Sequence, residues 1–148
     1  MPVRCRARIP RACVEYLLPC AQESACWARW LTAAFLSRKE LHQCSRADPD
    51  DVVLVVTELV TNVTRHTRSS CRLRLCADFR GLTVEVYDAS PEWPCLRLAQ
   101  MNEESGRGLM IVRALAQRLD VRAAPGGGKT VRATIRAPDA ALVTDLRA

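Results

Sequence analysis

Residues 50–67 read DDVVLVVTELVTNVTRHT, and this stretch limits what the chain can fold into more than any other. Val52, Val55, Val56, Leu59 and Val63 recur at helical spacing and define a core stripe. Asp48 and Pro49 supply an N-cap and a first helical residue, while Asp50 and Asp51 suit the positive end of the helix. Beside the stripe stand Glu58, Asn62 and His66, at i, i+4 and i+8. At about 100° per residue these three drift only ~80° around the axis, so a carboxylate, an amide and an imidazole share one inward-leaning edge. Such a row either meets solvent as an ordinary polar edge or faces a ligand held by the rest of the domain.

A length of 148 residues with 49% hydrophobic content fits one domain that buries its own core. We expect an arm with a strand over 1–20, the domain proper over 21–137 and a tail over 138–148. No apolar run approaches the ~20 residues that cross a bilayer. The arginine-rich start is followed by Glu15 before any apolar segment of signal-peptide length, so a soluble, cytoplasmic protein without membrane contact is expected. The eight cysteines form no CxxC pair and are predicted to be free thiols, with Cys71 and Cys76 on opposite faces of one strand. The net charge of +6 is mostly arginine and suits an acidic partner or a nucleotide. No helix concentrates it and no stacking aromatics interleave it, so direct nucleic-acid binding is not expected.

Alternation over 3–9 predicts a half-buried strand, and 14–18 a second short one. Over 23–42 a helix is expected, with Trp27, Trp30, Leu31, Ala34, Phe35 and Leu41 as its buried stripe. After the 50–67 helix come strands at 72–78 and 82–87, turning at Arg80 and Gly81. Pro91 and Pro94 exclude regular structure over 89–94, and 95–105 reads as a lid. A helix over 106–119, a strand at 121–123, a glycine turn at 126–128 and a strand at 130–135 complete the chain. This order predicts an α+β fold, a two-layer sandwich with helices on one face of a mostly antiparallel mixed sheet.

Three stretches carry candidate chemistry. Asn62 offers a neutral oxygen to magnesium, and Glu58, one turn earlier, can deprotonate an attacking hydroxyl. Asp88, at a strand end, either caps a turn or accepts an exocyclic amine; a keto group there would oppose two acceptors, which selects adenine. Ser105-Gly106-Arg107-Gly108-Leu109 is either a hinge or a helix start whose amides attract phosphate, with Arg107 adding charge. Gly126-Gly127-Gly128-Lys129-Thr130 is not a phosphate loop, because position 123 is Ala and a strand follows.

ELVTNVTRH, VEVYDAS, ESGRGLMIVRALA and GGKTVRATI, in this order, resemble the nucleotide-binding boxes of the GHKL ATPases. The likeness is to the small histidine-kinase-like domains of the anti-sigma-factor serine kinases common in actinobacteria. The resemblance implies a Bergerat fold holding ATP and magnesium between helices and sheet under a lid at 95–105. It implies Asn62 as magnesium ligand, Glu58 as general base, Asp88 as adenine acceptor, Gly106, Arg107, Gly108 and Leu109 around the phosphates, and His66 and Thr130 beside the nucleotide. The chain departs from the pattern at Asp88-Ala-Ser-Pro-Glu, where the superfamily has DxGxG, and at Lys129, where many relatives have threonine.

Two functions follow. The first is a serine/threonine protein kinase that phosphorylates an anti-sigma-factor antagonist and sequesters a sigma factor, with a homodimer among its possible assemblies. The second is a non-catalytic nucleotide-binding regulator acting by protein contact.

Overall fold

The computed structural model describes residues 11–42, 47–91 and 104–136. The expected strand at 3–9, most of the lid and the tail lie outside these residues. Strand β1 (Ala12–Leu18) precedes helix α1 (Ser24–Leu36), a 3-10 turn (Lys39–His42) and helix α2 (Pro49–His66). Strands β2 (Cys71–Asp78) and β3 (Gly81–Asp88) follow, then helix α3 (Glu104–Leu115) and strands β4 (Arg118–Ala123) and β5 (Lys129–Arg136). The sheet runs β1-β2-β3-β5-β4. Every described pairing is antiparallel, as in the mostly antiparallel mixed sheet expected. With the helices packed over it, this is an α+β sandwich.

Helix α2 is the central helix, packed against both other helices and three strands along its apolar stripe. Val52, Val55, Val56, Leu59, Val60 and Val63 are all buried, against β3, β2 and β5 on one side and α1 and α3 on the other. Asp48 stays extended at the N-cap and accepts the Asp50 amide at 2.9 Å, with Pro49 next, as the sequence predicts. Substituting Asp48 by Ala leaves that amide without its cap, and urea unfolding should show a loss of about 1 kcal/mol. On the sheet, inward positions Leu73, Leu75, Leu82, Val84, Val86, Val131, Ala133 and Ile135 complete the core.

Helix α1 corrects the expected stripe. Trp27 is 50% exposed and Trp30 72%, while Ser24, Ala28, Thr32 and Phe35 are buried. The helix is apolar on most sides, so size alone suggested the wrong face. Small residues every fourth position allow α1 to lie close on α2, and the two buried hydroxyls are satisfied locally, Ser24 by Pro19 O and Thr32 by Ala28 O.

The open face of the sheet carries charge instead of apolar surface. One register row reads Glu15, Arg74, Glu85, Arg132, Asp120 across the five strands, alternating in sign at every step. Arg74 and Arg132 both reach Glu85, at 3.8 and 3.5 Å. Exposed pairs of this kind add little stability individually, but the alternation penalises pairings that would place like charges opposite.

Cys13 and Cys76 face each other in the β1·β2 register with Cα atoms 4.2 Å apart and are joined as a disulfide. This corrects the expectation of free thiols; the two lie 63 residues apart in sequence, so only the strand pairing reveals them. Cys20, Cys26 and Cys71 are free. Cys71 points inward, opposite in direction to Cys76 as predicted, and burial followed by the nearby Asp88 charge pushes its thiol up to about 11. No described helix is long and apolar enough to cross a membrane.

Candidate nucleotide site

The polar edge of α2 meets the start of α3. Glu58, Thr61, Asn62, Arg65 and His66 line one small cleft together with Gly108 and Leu109. The sequence-predicted row therefore faces a second predicted motif, with Glu58 and Asn62 half-buried and His66 exposed at the rim. Gly108 makes the approach possible: a Cβ there would stand 3.4 Å from Glu58 Cδ and well inside contact distance of Oε2. Because the obstruction is the end of a flexible side chain, a larger residue at 108 would displace the Glu58 carboxylate more than it would unfold the helix. The cleft encloses about 20 Å³, room for a water or an ion and not for the bulk of a nucleotide.

Helix α3 starts at Glu104, two residues before the expected Gly106, and ends at Leu115, so Leu119 belongs to β4 opposite Ala133. Gly106 lies within the first turn, Arg107 is exposed beside it, and Leu109 and Val112 are buried against α2 and the sheet. Glu104 and Ser105 give no apolar signal, which is why the periodicity placed the start late. Likewise β4 begins at Arg118 and not Val121, because its first residues alternate no apolar pattern. The β2–β3 turn falls on Phe79 and Arg80; Gly81 already pairs with Asp78.

Asp88 ends β3 on the inner face and is fully buried. Directly across the register stands Lys129, also buried, with Nζ 2.9 Å from Asp88 Oδ1. The Ser90 amide donates to the same oxygen at 2.9 Å. Oδ2 is buried without a hydrogen-bond partner among the described residues. An ionised oxygen left dry in this way is costly, and it marks the position as one shaped for a donor.

Thr130 is not part of this group. Strand β5 turns 129, 131, 133 and 135 inward and 130, 132, 134 and 136 outward, so Thr130 lies on the open face opposite Tyr87. Sequence reasoning noted Lys129 only as a replacement; its shared parity with Val131, Ala133 and Ile135 was the signal that it, and not Thr130, faces the core. The 126–128 turn is as predicted: Gly126, Gly127 and Gly128 all take positive φ, and a Cβ on Gly128 would stand 2.8 Å from Ala89 Cα. The chain runs from this turn into β5, consistent with the rejection of a phosphate loop.

Thus two clusters form, one at Glu58, Asn62, His66, Gly108 and Leu109, the other at Asp88 and Lys129. A larger groove of about 460 Å³ lies on the open face among Arg118, Arg122, Arg132 and Arg136, and no expected site residue lines it. The donors of the first cluster, a carboxylate and a neutral amide oxygen, are of the kind that share a magnesium ion with phosphate oxygens and water. Among the described residues no three His, Cys, Asp or Glu side chains gather as a full metal cage. The orphaned Asp88 oxygen fits an exocyclic amine.

A helix-covered antiparallel sheet, with a polar helix edge facing a glycine-marked helix start and a buried carboxylate at a strand end, defines a nucleotide-site architecture of the histidine-kinase type. The family model described as the histidine kinase-like ATPase domain matches residues 20–135, and the chain belongs to that family. Among solved structures, that of the RsbU and RsbW domains of Rv1364c from Mycobacterium tuberculosis matches with a TM-score of 0.60 at 18% identity. The match covers 84% of this chain and 32% of that one, so this chain spans about a third of its neighbour's length. The likeness supports the shared fold. No curated protein matches the chain significantly.

Proposed function

We propose that the chain is an ATP-binding regulator of the anti-sigma type, acting as a serine/threonine protein kinase on an anti-sigma-factor antagonist and sequestering a sigma factor when free. The observation that carries this reading is the cleft in which Glu58 and Asn62 face the glycine-marked start of α3. In this reading Asn62 is the magnesium ligand, and the first amides of α3 with Arg107 face the phosphates. Asp88 Oδ2 takes the amine of the base. Glu58, seated against Gly108, is the general base for the acceptor hydroxyl. Magnesium ATP, when bound, supplies the phosphoryl group, and its transfer asks the protein mainly for positioning and charge neutralisation. His66 at the rim contributes to binding and not to the proton transfer. The family match supports the nucleotide, and the fold shared with a neighbour that carries RsbU and RsbW domains supports a role of the anti-sigma type. The site of action is the cytoplasm.

The test is incubation of purified protein with magnesium ATP and its cognate antagonist, read as phosphoserine. Glu58→Ala should lower transfer by roughly 10²–10⁴-fold while nucleotide still binds, the usual contribution of a general base. Asn62→Ala should weaken ATP binding itself, measured by calorimetry. Tight binding with no transfer in the unmodified protein would favour the regulator that works by contact alone, a reading to which the glycine-free Asp88-Ala89-Ser90-Pro91 turn lends support.

A further inference from the structure

Strand register arranges the arginines of the open-face groove into a ladder. Arg122 stands level with Thr130, Arg132 with Asp120, Arg118 with Thr134 and Arg136 with Gly81. Counted along β5, a guanidinium-bearing residue therefore occurs at levels 130, 132, 134 and 136, alternating between β4 and β5. Each step of two residues covers about 6.6 Å of strand. Arg80 closes the ladder at the β2–β3 turn. Arg118 and Arg122 both turn to Asp120, at 3.2 and 3.1 Å, and Arg132 turns to Glu85 at 3.5 Å, yet their side chains stay 72%, 58% and 34% exposed and within reach of a ligand. Arg80 and Arg136 have no carboxylate partner among the described residues. Five arginines against Asp78 and Asp120 leave the lining three positive charges in excess. Thr83 and Thr134, opposite each other in register, keep the floor low between the long side chains and add hydroxyls to it.

That interval decides what fits. An extended peptide places every second side chain on one face at the same spacing of about 6.6 Å, so acidic residues at i, i+2, i+4 and i+6 meet the arginines in turn. A compact anion reaches only one end of a ladder about 20 Å long. A chain of phosphates matches the interval but brings no donor to Asp120, which stands in the middle of the ladder, and no aromatic side chain lines the groove for a base to stack on. Peptide amides supply such donors, and the threonine hydroxyls can pair with peptide carbonyls. We propose that the groove is a docking site for an extended acidic segment of a protein partner, with carboxylates at alternate positions. It shares no residue with the Glu58 cleft or with the Asp88–Lys129 pair, so a partner held there leaves the nucleotide cluster uncovered.

Fluorescence anisotropy of the unmodified chain with a labelled peptide of alternating glutamate and threonine tests it. The dissociation constant should be about 10–100 μM at about 50 mM salt and rise about tenfold as salt is raised to about 300 mM. A peptide of the same composition with its glutamates in one block should bind about fivefold more weakly or less, because half of them then face away from the arginines. Magnesium ATP should not displace the alternating peptide. Arg118→Glu combined with Arg136→Glu should weaken that peptide by about tenfold or more without moving the thermal unfolding curve. Equal binding of the two peptides overturns the proposal, as does displacement by magnesium ATP or an affinity unmoved by the double reversal in a folded variant. Tighter binding of a single-stranded oligothymidylate of equal charge overturns it in favour of a nucleic-acid surface. A chain that sediments as a dimer and binds no peptide overturns it in favour of a second copy, and a monomer that binds no peptide overturns it outright. Because the peptide, salt and oligonucleotide comparisons use the unmodified chain, a variant that does not fold leaves the decision standing.

Discussion

Replacing Lys129 by methionine should destabilise the protein by about 3–5 kcal/mol, the loss associated with leaving a buried charge unpaired. Methionine fills much the same volume, so the cost is electrostatic: the Asp88 carboxylate, fully buried, loses the cation on Oδ1 and keeps only the Ser90 amide. The companion variant separates the pair's net contribution from the penalty of breaking it. A buried ion pair exchanged whole for neutral groups is often close to neutral, because desolvation of two charges offsets most of their attraction. Lys129→Met combined with Asp88→Asn should therefore recover most of the loss. Urea unfolding of the two single variants and the double variant measures the coupling. If Lys129→Met unfolds within about 1 kcal/mol of the unmodified protein, the pair is not buried as described.

Opening the Cys13–Cys76 bond should produce the other large change. The bond joins residues 63 apart, and closing a loop of that length lowers the entropy of the unfolded chain by an amount near 4 kcal/mol on the chain-entropy account, with measured values typically about 2–4. Reductant should lower the melting temperature by about 10 °C in a domain of this size. A Cys13→Ala, Cys76→Ala double variant should melt at the reduced value and ignore reductant. Peptide mapping that finds both residues as free thiols in protein purified without reductant would remove the basis for the effect. A reducing compartment would hold the dithiol and an oxidising one the disulfide, so the two melting temperatures bracket the protein in either setting.

How much of this was legible in the sequence depended on whether the signal was local. Helix α2 was readable in full, cap and stripe together, because a single strongly amphipathic segment carries both. The polar row on its edge led to a cleft with Gly108, since residues four apart share a face whatever they face. The β2–β3 hairpin and the glycine turn followed from short-range chemistry. Helix α1 was misphased because Ser24, Ala28 and Thr32 are buried for their smallness, a reason that only the neighbouring α2 surface supplies. The disulfide and the Asp88–Lys129 pair are products of strand register, 63 and 41 residues apart, and no window along the chain contains either. Thr130 stands one step out of parity with the inward residues of β5, so it lies on the open face. The motif GGKT drew attention to the right segment and to the wrong side of it.

That single step gives the glycine turn before β5 a further meaning. Residues between Ala123 and Lys129 fix how β4 and β5 align, and the three positive-φ glycines hold the turn at one length, with the Ala124 amide donating to Gly128 O. Removing or adding one residue there would carry Lys129, Val131, Ala133 and Ile135 to the arginine-rich face and bring Thr130, Arg132 and Thr134 against α2. Most surface loops accept changes of length freely. This one acts as a gauge, and the spacing it keeps determines both what the core contains and which charge stands beside Asp88.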